Sequence, residues 1–193
     1  MNAIEAIYKR RSVKAYDPEH RLSKEEEQKL FEAMIQAPTS FNIQHWRFVI
    51  LRDPELRAKI RKELGNDQAQ MTDASLLVLF TADMKAWQKS PERYWANAPK
   101  EVAELLVGSM GPFHEGREWL QRDEAQRSIG MAMQTLMLAA QELGYQSCPM
   151  IGFEIEKVAE LIKLPADHVI GPMVAIGKGI KEPWPKPGQV PLE

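Results

Sequence analysis

Apolar positions along the chain alternate between helical and strand periods. Ile4, Ile7 and Tyr8 share one side of a short amphipathic helix in "NAIEAIYKR". Ser23 followed three residues later by Glu26 predicts a capping box, each side chain accepting from the other's backbone N–H. Leu30, Phe31, Met34 and Ile35 continue that helix as an apolar stripe, and Pro38 ends it. "WRFVIL" (46–51) is a short β-rich run. Asp53 and Pro54 suit the N-cap and first position of a helix carrying Leu56, Ile60 and Leu64, with Gly65 as its expected left-handed stop.

"SLLVLFT" (75–81) is apolar throughout, as a central strand would be. From about Gln121 to Leu143, one face of a long helix carries Ile129, Met133, Leu136, Met137 and Ala140. Met131 and Leu138 make a second face apolar, which predicts burial on several sides, and Gly144 stops the helix. "SCPMIGF" reads as strand to turn, "EIEKVAELIKL" as a helix and "VIGPMVAIG" as the last strand, before an extended, Pro-rich "KEPWPKPGQVPLE". Residues 83–120 mix aromatics, Pro and Gly with short helical patches. They read as an insertion or lid on a single domain spanning 1–193. Helices outnumber and separate the strands, which points to a layered α/β or α+β domain.

Composition narrows the function classes. The 193 residues are 44% apolar and 27% charged, with a formal net charge of −2. Nucleic-acid binders and proteins of anionic membranes are usually basic, so neither is expected here, and any anion site must be local. A single cysteine, Cys148, allows no intramolecular disulfide. "MNAIEAIYKR" shows no secretory signal, and the longest apolar run (74–82) is too short to span a bilayer, so a cytoplasmic soluble protein is the expectation.

Several chemistries lack their motif. No two of His20, His45, His114 and His168 have metal-ligand spacing. "VGSMG" is not a nucleophile elbow, and "GKGIKE" has Glu182 where a dinucleotide fingerprint needs its third glycine. Cys148 precedes a proline in an apolar stretch and reads as a structural thiol. What remains is "KRRSVKAYD", where Arg10, Arg11 and Lys14 fall within five residues around Ser12. Arg grips phosphate with parallel N–H donors, and Ser adds a hydroxyl. The same run also suits a solvated charged face. The loop "APTSFNIQHW" (37–46) offers hydroxyl, amide and backbone N–H groups to a planar polar ring, or is an ordinary turn.

"RRSVKAYD", "APTSFNIQHWRFVIL", "AAQELGYQSCPMIGF" and "VAIGK…WPKPGQVPL", in that order, resemble the nitroreductase family of FMN-dependent oxidoreductases from Ala3 to Leu192. The resemblance implies an α+β, nitroreductase-like fold: a central, mostly antiparallel sheet flanked by helices, with FMN sites at a homodimer interface. It implies that Arg10, Arg11 and Ser12 take the FMN phosphate and ribityl end. Lys14 would lie near the flavin ring, where a fixed cation stabilises the charge of the reduced form. Pro38, Thr39, Ser40 and Asn42 are implied as a second cofactor segment, with Gln44 nearby. Gln70 and Gln68 form a third, Pro149, Met150, Ile151 and Gly152 a fourth, and Gly177, Lys178 and the tail containing Gln189 a fifth. Gln189 stands where many relatives carry Arg, which weakens one phosphate contact, with Lys186 or Lys178 to compensate.

The implied reaction passes a hydride from NADH or NADPH through FMN to a small aromatic or conjugated acceptor (a nitroaromatic, quinone or enone), with ping-pong kinetics and no general acid or base. Trp87, Tyr94, Trp95, Phe113 and Trp119 either stack on such acceptors or only pack the lid. Dehalogenase and flavin-cleaving activities of the same family, FMN storage or sensing with little turnover, and a cofactor-free interaction domain are the alternatives.

Overall fold

A computed structural model describes residues 2–192. Four antiparallel strands form one sheet in the order β1-β2-β4-β3: β1 Trp46–Ile50, β2 Leu76–Asp83, β3 Gln146–Met150 and β4 His168–Gly177. Strand period sorts β2 onto two cores. Leu76, Val78, Phe80 and Ala82 face α2 (Lys24–Met34) and α6 (Glu118–Glu142), packing on Leu30, Met34, Ile129 and Leu136. Leu77 and Leu79 face the other side, with Ile60, Met71, Cys148, Val158 and Met173. That side is covered by α3 (Pro54–Lys59), α4 (Gln70–Asp73) and α7 (Ile155–Leu161). The architecture is the expected antiparallel sheet between helical layers.

The helix ends follow their local chemistry. Asn2 and Glu5 close a capping box on α1 (Ala3–Lys9), as Ser23 and Glu26 do on α2, and Asp53 caps α3 with Pro54 behind it. Gly144 ends α6 at φ +84°. Gly65 departs from expectation: its φ is −115°, after a π-type turn at Ile60–Leu64. Space explains the glycine, because a Cβ there would lie 2.5 Å from Met71 Sδ.

Two helical faces also differ from the pattern. Ile4, Ile7 and Tyr8 of α1 are exposed, and Ala6 is its buried residue. On α6 the Ile129–Leu136–Ala140 face is buried, but Met131 opens to the surface of the single chain. Within 83–120 lies one regular helix, α5 (Lys100–His114), beside a small cluster of Ile43, Ala86, Tyr94 and Met110. Its pattern was obscured because it has no side-chain cap and carries Gly108, Gly111 and Pro112 internally.

Candidate functional site

Main-chain pairing lays residues 10–14 along the sheet edge. Ser12 bridges Ser147 in parallel, and Val13 N–H donates to the Ser147 carbonyl at 3.1 Å. Val13 is buried, and Ser12 and Lys14 on either side of it are exposed. Arg11 Nη1 donates to the carbonyls of Tyr8 (2.6 Å) and Arg10 (3.0 Å), closing the C-terminal end of α1. Arg10 holds a buried Nη1 with no hydrogen-bond partner among the described residues. Among those residues, Arg10, Arg11 and Lys14 have no carboxylate partner. Burial pushes the Cys148 thiol up, and the charges of Lys14 and Arg10 act on it in the opposite direction. Both cations therefore stand close to β3.

The far end of β3 completes this edge. Met150 is buried, Pro149 half-buried, and Ile151 and Gly152 exposed. The Gly152 carbonyl accepts from Gln68 Nε2 at 2.8 Å and Asn66 Nδ2 at 3.3 Å, and Gln70 Nε2 donates to Gln68 Oε1 at 3.0 Å. Gln68, Gln70 and 149–152 are thus one hydrogen-bonded unit beside segment 10–14. Asn66, which opens the same "NDQAQMTDAS" stretch but carried no expected role of its own, belongs to it too, in a Gly-Asn-Asp turn with Asn66 and Asp67 both at φ +52°.

The 38–44 loop stands elsewhere. Thr39 Oγ1 accepts from Gln44 N–H at 3.0 Å, Asn42 Nδ2 donates to the Tyr94 carbonyl at 2.8 Å, and Ser40 opens a single 3₁₀ turn after Pro38. Phe41, Asn42 and Gln44 all have positive φ, at 51°, 54° and 51°. Such non-glycine conformations are strained and persist only where surroundings enforce them. The loop leads into Trp46, which pairs with Ala82 on β2, whereas Ser147 pairs with Ile176, itself opposite Leu76. Six residues along the strands is roughly 20 Å, and three strand spacings across is about 14 Å. Within one chain, loop 38–44 and segment 10–14 therefore lie at diagonally opposite corners of the sheet.

The start of the tail runs beside segment 10–14: Tyr16 bridges Gly179, Asp17 N–H donates to the Lys178 carbonyl at 2.9 Å, and Ile180 N–H donates to the Ala15 carbonyl at 3.1 Å. Gly177 is buried where a Cβ would meet Ser75 N at 3.0 Å and Tyr16 Cδ1 at 3.1 Å, so close packing accounts for it. Gly177→Ala is expected to lower stability by about 1–3 kcal/mol, read as a fall in the urea midpoint, without changing cofactor affinity. Lys178 Nζ lies 3.7 Å from Asp17, and Lys186 Nζ reaches the Ile7 carbonyl at 3.4 Å over the Tyr8 ring. Both candidates to replace a phosphate-binding Arg are already engaged, and Gln189 is exposed in irregular chain.

One constellation had no spacing signal in the sequence. Asp83, Asp167 and His168 bring ligand-type atoms within 4.8 Å of one another. Lys89 stands among them, at 2.9 Å from Asp83 and 2.7 Å from Asp167, with Arg47 Nη2 3.6 Å from Asp83 and His168 Nδ1 2.7 Å from Asp167. Lys89 and then His168 hold the Asp167 carboxyl down at about 2. The group reads as an ion-pair network tying the start of the 84–117 excursion, the stretch between β2 and α6, to β2 and β4.

A model of the nitroreductase family matches residues 7–178. The chain belongs to the nitroreductase family. It is similar to Protein DrgA of Synechocystis sp., 65% identical over 100% of this chain and 93% of that protein. It is also similar to an NADH dehydrogenase of Thermus thermophilus, 28% identical over 100% of this chain and 94% of that one. A crystal structure of an Exiguobacterium sibiricum protein in complex with FMN superposes with TM-score 0.90 at 28% identity, covering 99% and 94% of the two chains. Membership of the nitroreductase family makes this protein an oxidoreductase. Among the described residues no helix is long and apolar enough to cross a membrane.

Proposed function

We propose that the protein is an FMN-dependent NAD(P)H oxidoreductase acting on small electron-poor aromatic or conjugated acceptors. The observation that carries this reading is the cation cluster at the β3 edge. Arg10, Arg11 and Lys14 have no carboxylate partner among the described residues, and a buried Arg10 Nη1 lacks any acceptor. A phosphate supplies acceptors in the fork geometry that guanidinium matches. The Ser12 hydroxyl is exposed beside it. FMN, when bound, supplies the hydride relay between a nicotinamide donor and the acceptor. The chain's part is to hold it: Arg10, Arg11 and Ser12 at the phosphate end, Lys14 as a fixed positive charge at the ring, and Gln68, Gln70 and 149–152 along one side. No general acid or base is assigned.

The diagonal separation of loop 38–44 supports a homodimer, with Pro38, Thr39, Ser40 and Asn42 of one copy completing the site of the other. Exposed apolar side chains give such a pair its surface: Ile4 (63%), Tyr8 (70%) and Ile35 (46%) on α1 and α2, with Met131 and Leu143 at α6. The segment at about 83–120 acts as the acceptor-shaping lid of a single domain spanning 1–193. The lone buried cysteine suits a reducing compartment, and the cytoplasm is where we place the reaction.

The test is the visible spectrum of the purified protein, followed by anaerobic NADH or NADPH. A yellow protein that bleaches supports the reading, and Lys14→Ala should slow that bleaching about tenfold or more. A colourless protein that takes up no FMN sinks it. Steady-state plots should run parallel, as expected when donor and acceptor use one site in turn.

A further inference from the structure

Among the described residues, four buried ring nitrogens have no hydrogen-bond partner: Nε2 of His45 and His114, and Nε1 of Trp87 and Trp95. Trp87 and Trp95 pack, with Phe41, on the small apolar cluster of Ile43, Ala86, Tyr94 and Met110. The His114 ring stacks on Trp87 at 5.5 Å and 10°, and meets Phe41 edge-on at 5.8 Å. His45 lies within electrostatic reach of His114. Both histidines are fully buried. The atoms come from three places: the end of the 38–45 loop, the excursion after β2, and the last turn of α5.

The hydrogen-bond pattern assigns both tautomers. With the Ser128 hydroxyl proton on the Glu124 carbonyl at 2.8 Å, the bond a helical serine makes to the turn before it, Ser128 Oγ accepts from His45 Nδ1 at 2.9 Å. For His114 the assignment is forced, because the Met110 carbonyl can only accept from Nδ1, at 2.8 Å. Each neutral ring therefore carries its proton on Nδ1 and presents a bare lone pair at Nε2. The indoles are donors only. Two acceptors and two donors are left over. A buried group without a partner costs about 1–3 kcal/mol, and folded interiors rarely carry four together. Water offers two O–H donors and two lone pairs, the complement of this set. A metal ion would take the two Nε2 atoms and leave both indole N–H groups unanswered.

We propose that this is a built water site, one or more waters donating to His45 and His114 Nε2 and accepting from Trp87 and Trp95 Nε1. Through it the 84–117 excursion holds loop 38–44 in its strained conformation. That loop has two other ties to the excursion, Asn42 to the Tyr94 carbonyl and Phe41 against Phe113 at 5.2 Å. His45 and His114 are then positioning residues for the cofactor loop. The consequence for cofactor hold rests on the function proposed above; the water site itself does not.

The test is a crystal structure of the FMN-loaded protein at about 1.3 Å, with long-range ¹H–¹⁵N spectra to read the imidazole protons directly. The expected result is ordered water contacting at least three of the four nitrogens, with both rings protonated at Nδ1. An empty space, a direct indole-to-imidazole bond or metal scattering there overturns the site. Trp95→Phe should then raise the FMN dissociation rate about tenfold, through a looser loop, and speed proteolytic cutting within 84–117 several-fold. Wild-type values for both rates, with the water displaced, would overturn the clamp. A protein that binds no FMN would fail the proposed function, yet the density, tautomer and proteolysis readouts would still decide the water site.

Discussion

Replacing Arg10 by alanine is expected to raise the FMN dissociation constant at least about a hundredfold while leaving the FMN-free protein as stable as before, or more so. The two halves of this result have one cause. Arg10 Nη1 is buried and has no partner among the described residues, so that end of the guanidinium is held in an unfavourable setting until an acceptor arrives. Two charge-assisted bonds to a phosphate are each worth about 1.5–3 kcal/mol, which sets the hundredfold floor. A structural arginine would behave in the opposite way, its loss lowering the melting temperature and sparing the ligand. Arg11 is nearer that case, because its Nη1 closes two carbonyls at the end of α1, and Arg11→Ala would mix fraying with weaker binding. Flavin fluorescence titration of the two variants, beside thermal melts of the FMN-free forms, separates these outcomes. Unchanged FMN affinity in Arg10→Ala would remove the cation cluster from the site.

Which parts of this arrangement were legible in the sequence follows from which interactions are local. Ser23 and Glu26, or Asp53 and Pro54, satisfy one another within a single turn, so those helix starts were readable and stand where expected. The continuous apolar run of β2 likewise declared a strand covered on both faces. Helix α5 was not readable, because Gly108, Gly111 and Pro112 argue against a helix that its packing on the Ile43–Met110 cluster supports. Gly65 shows the same limit, since a stop signal and a close-packing requirement ask for the same residue.

At the candidate site, segment 10–14 was visible because its charges are contiguous. Its company along β3 was implied by family resemblance, and the bonds from Gln68 and Asn66 to the Gly152 carbonyl give that company a physical basis. The separation of loop 38–44 was invisible, because it depends on the strand order β1-β2-β4-β3 and on where each strand begins. It is that order, more than any single residue, that makes a second copy of the chain part of the proposed site.

Lowering the pH from 6.5 to 4 is expected to cost the folded protein on the order of 3 kcal/mol through His45 alone. Burial, then His114 and Arg47, push the His45 imidazole down to about 4 against the pull of Asp83. In the unfolded chain the same ring takes a proton near 6.5. Above that value neither state is protonated and the native structure has no penalty. Between 6.5 and 4 the unfolded chain binds a proton that the native protein refuses, so stability falls steadily as pH falls. Below about 4 both states are protonated and this contribution levels off. His114, also lowered by burial, adds in the same direction. Asp167 lies lower still, at about 2, so its own loss falls mostly below this window. Urea unfolding at intervals from pH 7 to 4, in the wild type and in His45→Phe, isolates the effect, because the variant keeps a ring in the space and has nothing to titrate. The variant's stability should change less across the window, by about the stated amount. Parallel curves would mean that His45 takes its proton as readily in the native protein as in the unfolded chain, and the proposed water site would then lose one of its two lone pairs below about pH 6.5.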